Sequence, residues 1–160
     1  MKILAADGIS PEGIELLADY EVDVRDKISH EELIEVIGGY DALMVRSAAK
    51  VSADVLERAD RLKISGRAGV GVDNSDVKAA TERGIIVINS PGGNTIAATE
   101  HTMAMMLSLA RNIPAADATM HTGGWNRKAY VGVELRGKTL GVIGMGRIGS
   151  GVAKRALAFE

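Results

Sequence analysis

Along the first ninety or so residues, short apolar, β-branched runs alternate with stretches whose apolar positions recur at helical spacing. Lys2–Ala6 is an apolar run that predicts a strand. Ser10 followed by Pro11 supplies an N-cap and a proline at the first helical position, predicting a helix to about Asp19. Glu21–Arg25 alternates apolar and charged residues as a strand does. Ser29 and Glu32 have capping-box spacing and open a helix that Gly38 and Gly39 close. Ala42–Arg46 predicts an apolar strand, Ser52 caps a helix over Ala53–Ala59, and Leu62–Ser65 predicts the next strand. Ser75–Arg83 reads as a helix closed by Gly84, and Ile85–Asn89 as a further strand. Regular alternation of this kind predicts an α/β unit with a mainly parallel, flavodoxin-like sheet. Ligands of such sheets bind at the carboxyl ends of the strands.

The pattern changes after Ser90-Pro-Gly-Gly-Asn94, where a domain boundary is expected, dividing 1–94 from 95–160. Thr95–Arg111 is rich in Ala and Met and has almost no polar face, so it predicts a helix covered on several sides. Pro114 opens another helix, and Gly123–Lys128 forms a loop. Lys138 onward reads as a strand over Leu140–Gly144, a glycine turn and a helix starting near Arg147.

Composition narrows this picture. Aromatic residues are 3% of the chain and Gly is 19 of 160 residues, so the core must be aliphatic and many turns sharp. A net charge of -2 gives no basic field for nucleic acid or an anionic membrane, and neither partner is expected. Absence of cysteine excludes a disulfide framework and thiolate metal sites and fits a cytoplasmic setting. His30, His101 and His121 share no metal-ligand spacing, so no metal is expected.

Two groups of residues carry candidate chemistry. In Gly144-Met-Gly146-Arg-Ile-Gly149, Gly144 permits a tight turn, Gly146 lets backbone approach a pyrophosphate, and Gly149 lets the helix pack closely. The helix starting near Arg147 offers N–H groups to an anion. Arg46 and Arg67 each directly follow an apolar strand, in Val45-Arg46-Ser47 and Ser65-Gly66-Arg67-Ala68-Gly69. Guanidiniums at neighbouring strand ends suit a carboxylate or a phosphate, and Gly69 and Gly71 would offer backbone N–H groups to the same anion. Two solvated arginines fit the spacing equally well. Arg127 and Lys128 fit a solvated loop or a ligand contact, and Asp7 fits polar lining or a turn.

The strings Val45–Val51, Gly66–Asn74, Asn89–Thr95, Ala98–Met106, Gly124–Lys128 and Leu135–Gly149 together resemble the D-isomer-specific 2-hydroxyacid dehydrogenase family, and within it the members that oxidise 3-phosphoglycerate. The resemblance spans essentially the whole chain. Ser75 and Tyr130 depart from it, standing where an aliphatic residue and a phenylalanine are expected. It implies an NAD-dependent oxidoreductase of serine biosynthesis, with a substrate (lid) domain followed by the first part of a Rossmann nucleotide-binding domain. The Met-rich helix would join two copies into a homo-oligomer. Arg46, Ser47, Arg67, Ala68, Gly69, Asn74, Arg127 and Lys128 would bind the phosphorylated 2-hydroxy acid. Val70, Gly144, Gly146, Arg147, Ile148 and Gly149 would contact NAD.

By the same resemblance, the catalytic arginine, glutamate and histidine and the ribose-binding acid have no counterparts among residues 1–160. The chain by itself is therefore expected to hold no catalytic residue and an incomplete NAD site, and to be inactive alone. Residues 1–94 are expected to fold as a unit, with the Leu140–Gly144 strand short of neighbours. A glyoxylate or hydroxypyruvate reductase of the same family, and a non-catalytic module that binds ligand or dimerises, are the alternatives.

Overall fold

The computed structural model describes residues 1–160 and divides into two compact units, Met1–Gly93 and Asn94–Glu160. In the first unit, strands β1 (Lys2–Ala6), β2 (Glu21–Arg25), β3 (Ala42–Val45), β4 (Ile64–Arg67) and β5 (Ile86–Asn89) form one sheet. Its order is β2-β1-β3-β4-β5, and every neighbouring pair is parallel. This is the flavodoxin-like order, whose strand sequence reverses between β1 and β3.

Helices α1 (Pro11–Glu15), α2 (His30–Val36), α3 (Ala53–Glu57) and α4 (Val77–Glu82) connect the strands. Leu4 and Ala6 of β1, Leu43 and Val45 of β3, Leu33 of α2, Val55 and Leu56 of α3 and Ala80 of α4 share one buried apolar cluster. The α2 capping box forms as expected: Ser29 Oγ accepts from Glu32 N at 3.1 Å, and Glu32 Oε2 accepts from Ser29 N at 2.9 Å. Ser10 caps α1 by accepting from Gly13 N.

Several boundaries differ from the sequence reading. Helix α1 stops at Glu15, because Leu17, Ala18 and Tyr20 donate to carbonyls three residues back and tighten the chain into turns. Ser52 does not cap α3 with its side chain; its hydroxyl donates to Asp54 Oδ1 at 2.5 Å. Helix α4 begins after Asp76, whose carboxylate accepts from Ala79 N, because Ser75 is held in a parallel bridge with Val51. Strand β4 lies two residues later than expected, so Arg67 does not follow the strand but closes it, opposite Val45 and Asn89.

The second unit contains α5 (Thr95–Ala110), α6 (Ile113–His121) and α7 (Arg147–Ala156). Helix α7 packs on α5 at Gly151, where an added Cβ would lie 2.7 Å from Thr99 Oγ1. Thr99 is the only buried residue of α5, while Ile96, Met105 and Leu109 are exposed. The apolar girth of this helix is thus covered on one side, not on several. No helix is long and apolar enough to cross a membrane.

The expected strand at Leu140–Gly144 is not formed. Extended backbone becomes a strand only when a neighbour accepts its ladder bonds, and no strand lies within Asn94–Glu160. Ile143 is fully exposed in consequence.

Candidate functional site

The carboxyl ends of β1, β3 and β4 meet in one hydrogen-bonded cluster centred on Arg46, the first residue past β3. Asp7 follows β1 with a φ of 70°, and its Oδ2 accepts the backbone N–H groups of Arg46, Ala48 and Ala49 at 3.1, 2.7 and 3.2 Å. The Arg46 carbonyl oxygen accepts Arg67 Nε at 2.9 Å and Asn74 Nδ2 at 3.1 Å. The peptide units on either side of Arg46 are therefore both held, and its Nη1 reaches the Gly8 carbonyl at 3.3 Å.

Arg67 is the more enclosed arginine, with a side chain only 13% exposed. Besides the Arg46 carbonyl, it meets Asp73 Oδ1 through Nη1 at 2.5 Å. That guanidinium holds the Asp73 carboxyl below the usual carboxylate range. Gly71 makes the approach possible, since a Cβ there would lie 2.6 Å from Asp73 Oδ1. Asn74 points inward, and its amide also donates to the Ala49 carbonyl at 2.8 Å.

The structure thus brings Arg46, Ser47, Arg67, Ala68, Gly69, Val70 and Asn74 to one edge of the sheet. Arg46, Ser47 and Ala68 are exposed there. The N–H of Gly69 differs from expectation: it donates to the Arg67 carbonyl at 2.8 Å, closing a tight turn, and is not directed at an external anion. The carbonyls of Gly69 and Val70 are tied to the carboxyl end of β5, accepting from Ser90 N just past it and from Asn89 Nδ2. Asp7 has the largest structural part in the cluster beside the arginines. Its signal in the sequence was an Asp-Gly pair directly after an apolar strand, a pair suited to positive φ.

In the second unit, Arg127 and Lys128 lie in a 3-10 turn, Arg127–Tyr130, capped by Asn126. The Arg127 guanidinium sits 6.0 Å from the ring centre of Trp125, a cation–π distance. In the glycine turn, Gly144 has a φ of 90°, and Gly146 is the N-cap residue of α7 with open space where a Cβ would stand. A Cβ on Gly149 would collide with the Gly144 carbonyl oxygen. Arg147 and Ile148 begin α7. An open glycine at a helix start, where backbone N–H groups lack intrahelical partners, fits a pyrophosphate, so this turn suits the phosphates of a dinucleotide.

A third polar cluster links α2 and α3. His30 Nε2 lies 2.8 Å from Asp54 Oδ2. The Ser52 hydroxyl, then His30, lower the Asp54 carboxyl to about 2.

Comparison with known proteins places these observations in a lineage. Residues 3–157 match the model for the D-isomer specific 2-hydroxyacid dehydrogenase catalytic domain. The chain is 54% identical over its whole length to the D-3-phosphoglycerate dehydrogenase of Archaeoglobus fulgidus, and covers 31% of that protein. It is 48% identical to the human D-3-phosphoglycerate dehydrogenase over 99% of the chain, covering 30% of that relative. A solved structure from Thermus thermophilus superposes with a TM-score of 0.92 at 36% identity, over 99% of this chain and 53% of that one. The D-lactate dehydrogenase of Aquifex aeolicus, solved with NAD and lactic acid, gives 0.83 at 28% identity, over 98% and 48%. The chain therefore spans about a third of the curated relatives and half of the solved structures.

Proposed function

This chain belongs to the D-isomer specific 2-hydroxyacid dehydrogenase family, and we propose that it supplies the substrate-binding unit and the opening of the nucleotide-binding unit of an NAD-dependent D-3-phosphoglycerate dehydrogenase. The observation that carries this reading is the joining of Arg46 and Arg67 at one sheet edge, Arg67 Nε on the Arg46 carbonyl. Two cations on adjacent strands, beside Ser47 and Ala68, suit a ligand with two anionic groups, one carboxylate and one phosphate. Ionic contacts of this kind hold a substrate's acid groups so that its hydroxyl-bearing carbon is fixed for reaction.

Gly144, Gly146 and Gly149, with Arg147 and Ile148, would hold the pyrophosphate of NAD, and Val70 would lie toward its nicotinamide end. Bound NAD would supply a hydride acceptor. The chain's own part is binding and orientation, because the three histidines include none with the family's catalytic motif. By itself it is inactive. Arg127 and Lys128 would contribute to a substrate site in a homo-oligomer, in which the exposed face of α5 at Met105 and Leu109 would be covered by a second copy.

Calorimetric titration with 3-phosphoglycerate, D-glycerate and glyoxylate tests the reading. Binding of 3-phosphoglycerate at least about tenfold tighter than of the two unphosphorylated acids supports it, since an added charge-assisted pair contributes about 1.5–3 kcal/mol. Equal or preferential binding of glyoxylate would favour a reductase of the same family instead. Sustained NADH formation by the pure chain would refute its being inactive alone.

A further inference from the structure

The Arg46–Ala49 segment has the form of an anion-binding concavity: the N–H groups of Arg46, Ala48 and Ala49 converge on one point. That point is occupied by an atom of the chain itself, Asp7 Oδ2. An external anion is therefore left to the side chains of Arg46 and Ser47. Asp7 takes a φ of 70° and Gly8 a φ of 69°. Backbone in this region is uncommon for an aspartate, and is tolerated because the Asp7 carboxylate is bonded locally. The Asp7 N–H is tied to the Arg25 carbonyl at 3.1 Å, which anchors the turn to β2.

The same pair of residues holds both ends of Arg46. Asp7 takes its backbone N–H, and the Gly8 carbonyl takes its Nη1 at 3.3 Å. On the far side, Arg67 and Asn74 hold its carbonyl. Of these contacts, Asp7 alone fixes the three amides that set the path of the loop.

We propose that Asp7 is a positioning residue, which sets the Arg46–Ser47 loop so that the Arg46 side chain meets an organic acid anion. The inference rests on the reading of Arg46 as a ligand-binding residue. Asp7 touches no ligand; it acts through Arg46. All three bonds fall on one oxygen, which an asparagine carbonyl can replace. Asparagine also accepts the positive φ.

The test is a double-mutant cycle on the whole chain, with 3-phosphoglycerate affinity read by calorimetry and backbone amide exchange read in the absence of ligand. Asp7→Ala is expected to weaken binding about tenfold and to speed exchange of the Ala48 amide. Asp7→Asn is expected to stay within about threefold of wild type on both readouts. In an Arg46→Ala background, Asp7→Ala is expected to cost less than about twofold more, because residues acting through one contact are non-additive. A merely structural loss of Asp7 would cost affinity equally in both backgrounds, and that additivity would overturn the proposal. So would Asp7→Ala binding like wild type while Arg46→Ala binds weakly. Should Arg46→Ala itself bind like wild type, the functional reading of Arg46 fails, and the role of Asp7 falls with it. Should Asp7→Ala fail to fold, the Asp7→Asn variant decides: rapid Ala48 exchange with wild-type affinity would contradict the mechanism.

Discussion

Arg67 Nε donates to the carbonyl oxygen of Arg46 at 2.9 Å, so one candidate ligand arginine supports the backbone of the other. A single planar guanidinium serves the Arg46 carbonyl and Asp73 at once, which a lysine ammonium cannot do with the same geometry. Arg67→Lys is therefore expected to keep the charge yet lose about tenfold or more in 3-phosphoglycerate affinity, measured by calorimetry. Wild-type affinity in the lysine variant would reduce Arg67 to a simple point charge.

Ser75 stands in a parallel bridge with Val51, and its Oγ is buried without a hydrogen-bond partner. A buried hydroxyl of this kind costs about 1–3 kcal/mol. Ser75→Val fits the bridge with Val51 and removes the orphan group. It is expected to raise stability by roughly 1 kcal/mol in urea unfolding. The Tyr130 hydroxyl, by contrast, bonds to Thr119 Oγ1.

Asp54 is held at about 2 against an ordinary 3.8, first by the Ser52 hydroxyl and then by His30. A carboxyl whose pKa is lower in the folded state adds stability that is complete above about 3.8 and is lost as pH falls through about 2. The Tm difference between wild type and Asp54→Asn should therefore shrink across that window. A difference constant with pH would show that the contacts of Asp54 do not depend on its charge.

The glycines of the α7 turn separate structural from ligand roles. Gly149→Ala would drive a Cβ into the Gly144 carbonyl and is expected to destabilise the turn by roughly 1–3 kcal/mol. Gly146 has a φ of -74° and open space around it, so Gly146→Ala should leave the unfolding midpoint unchanged. If the turn receives a pyrophosphate, the same variant should lose NAD affinity in whichever assembly binds it. An unaltered NAD affinity would remove Gly146 from the cofactor site.

Much of the first unit was legible because local signals and the fold agree. The Ser29–Glu32 box, the alternation of Glu21–Arg25 and the glycines after α2 each specify one local structure. The errors arose where tertiary partners decide. Leu140–Gly144 has the residues of a strand but no neighbour, and Ile64–Arg67 extends past its apolar run because β3 and β5 flank it. At the site, Arg46 and Arg67 were legible as cations at strand ends. That Asn74 turns inward, and that Gly69 spends its N–H on Arg67, depend on hydrogen-bond partners distant in sequence or on a turn geometry that residue type alone does not encode.

The central claim is that the Arg46–Arg67 edge binds a phosphorylated hydroxy acid. Nuclear magnetic resonance titration of the 15N-labelled chain with 3-phosphoglycerate tests it most directly. Saturable shifts of the Arg46 and Arg67 Nε–H signals and of the backbone amides from Arg46 to Ala49 are the predicted result. Shifts confined to other residues, or none at saturating ligand, would contradict it.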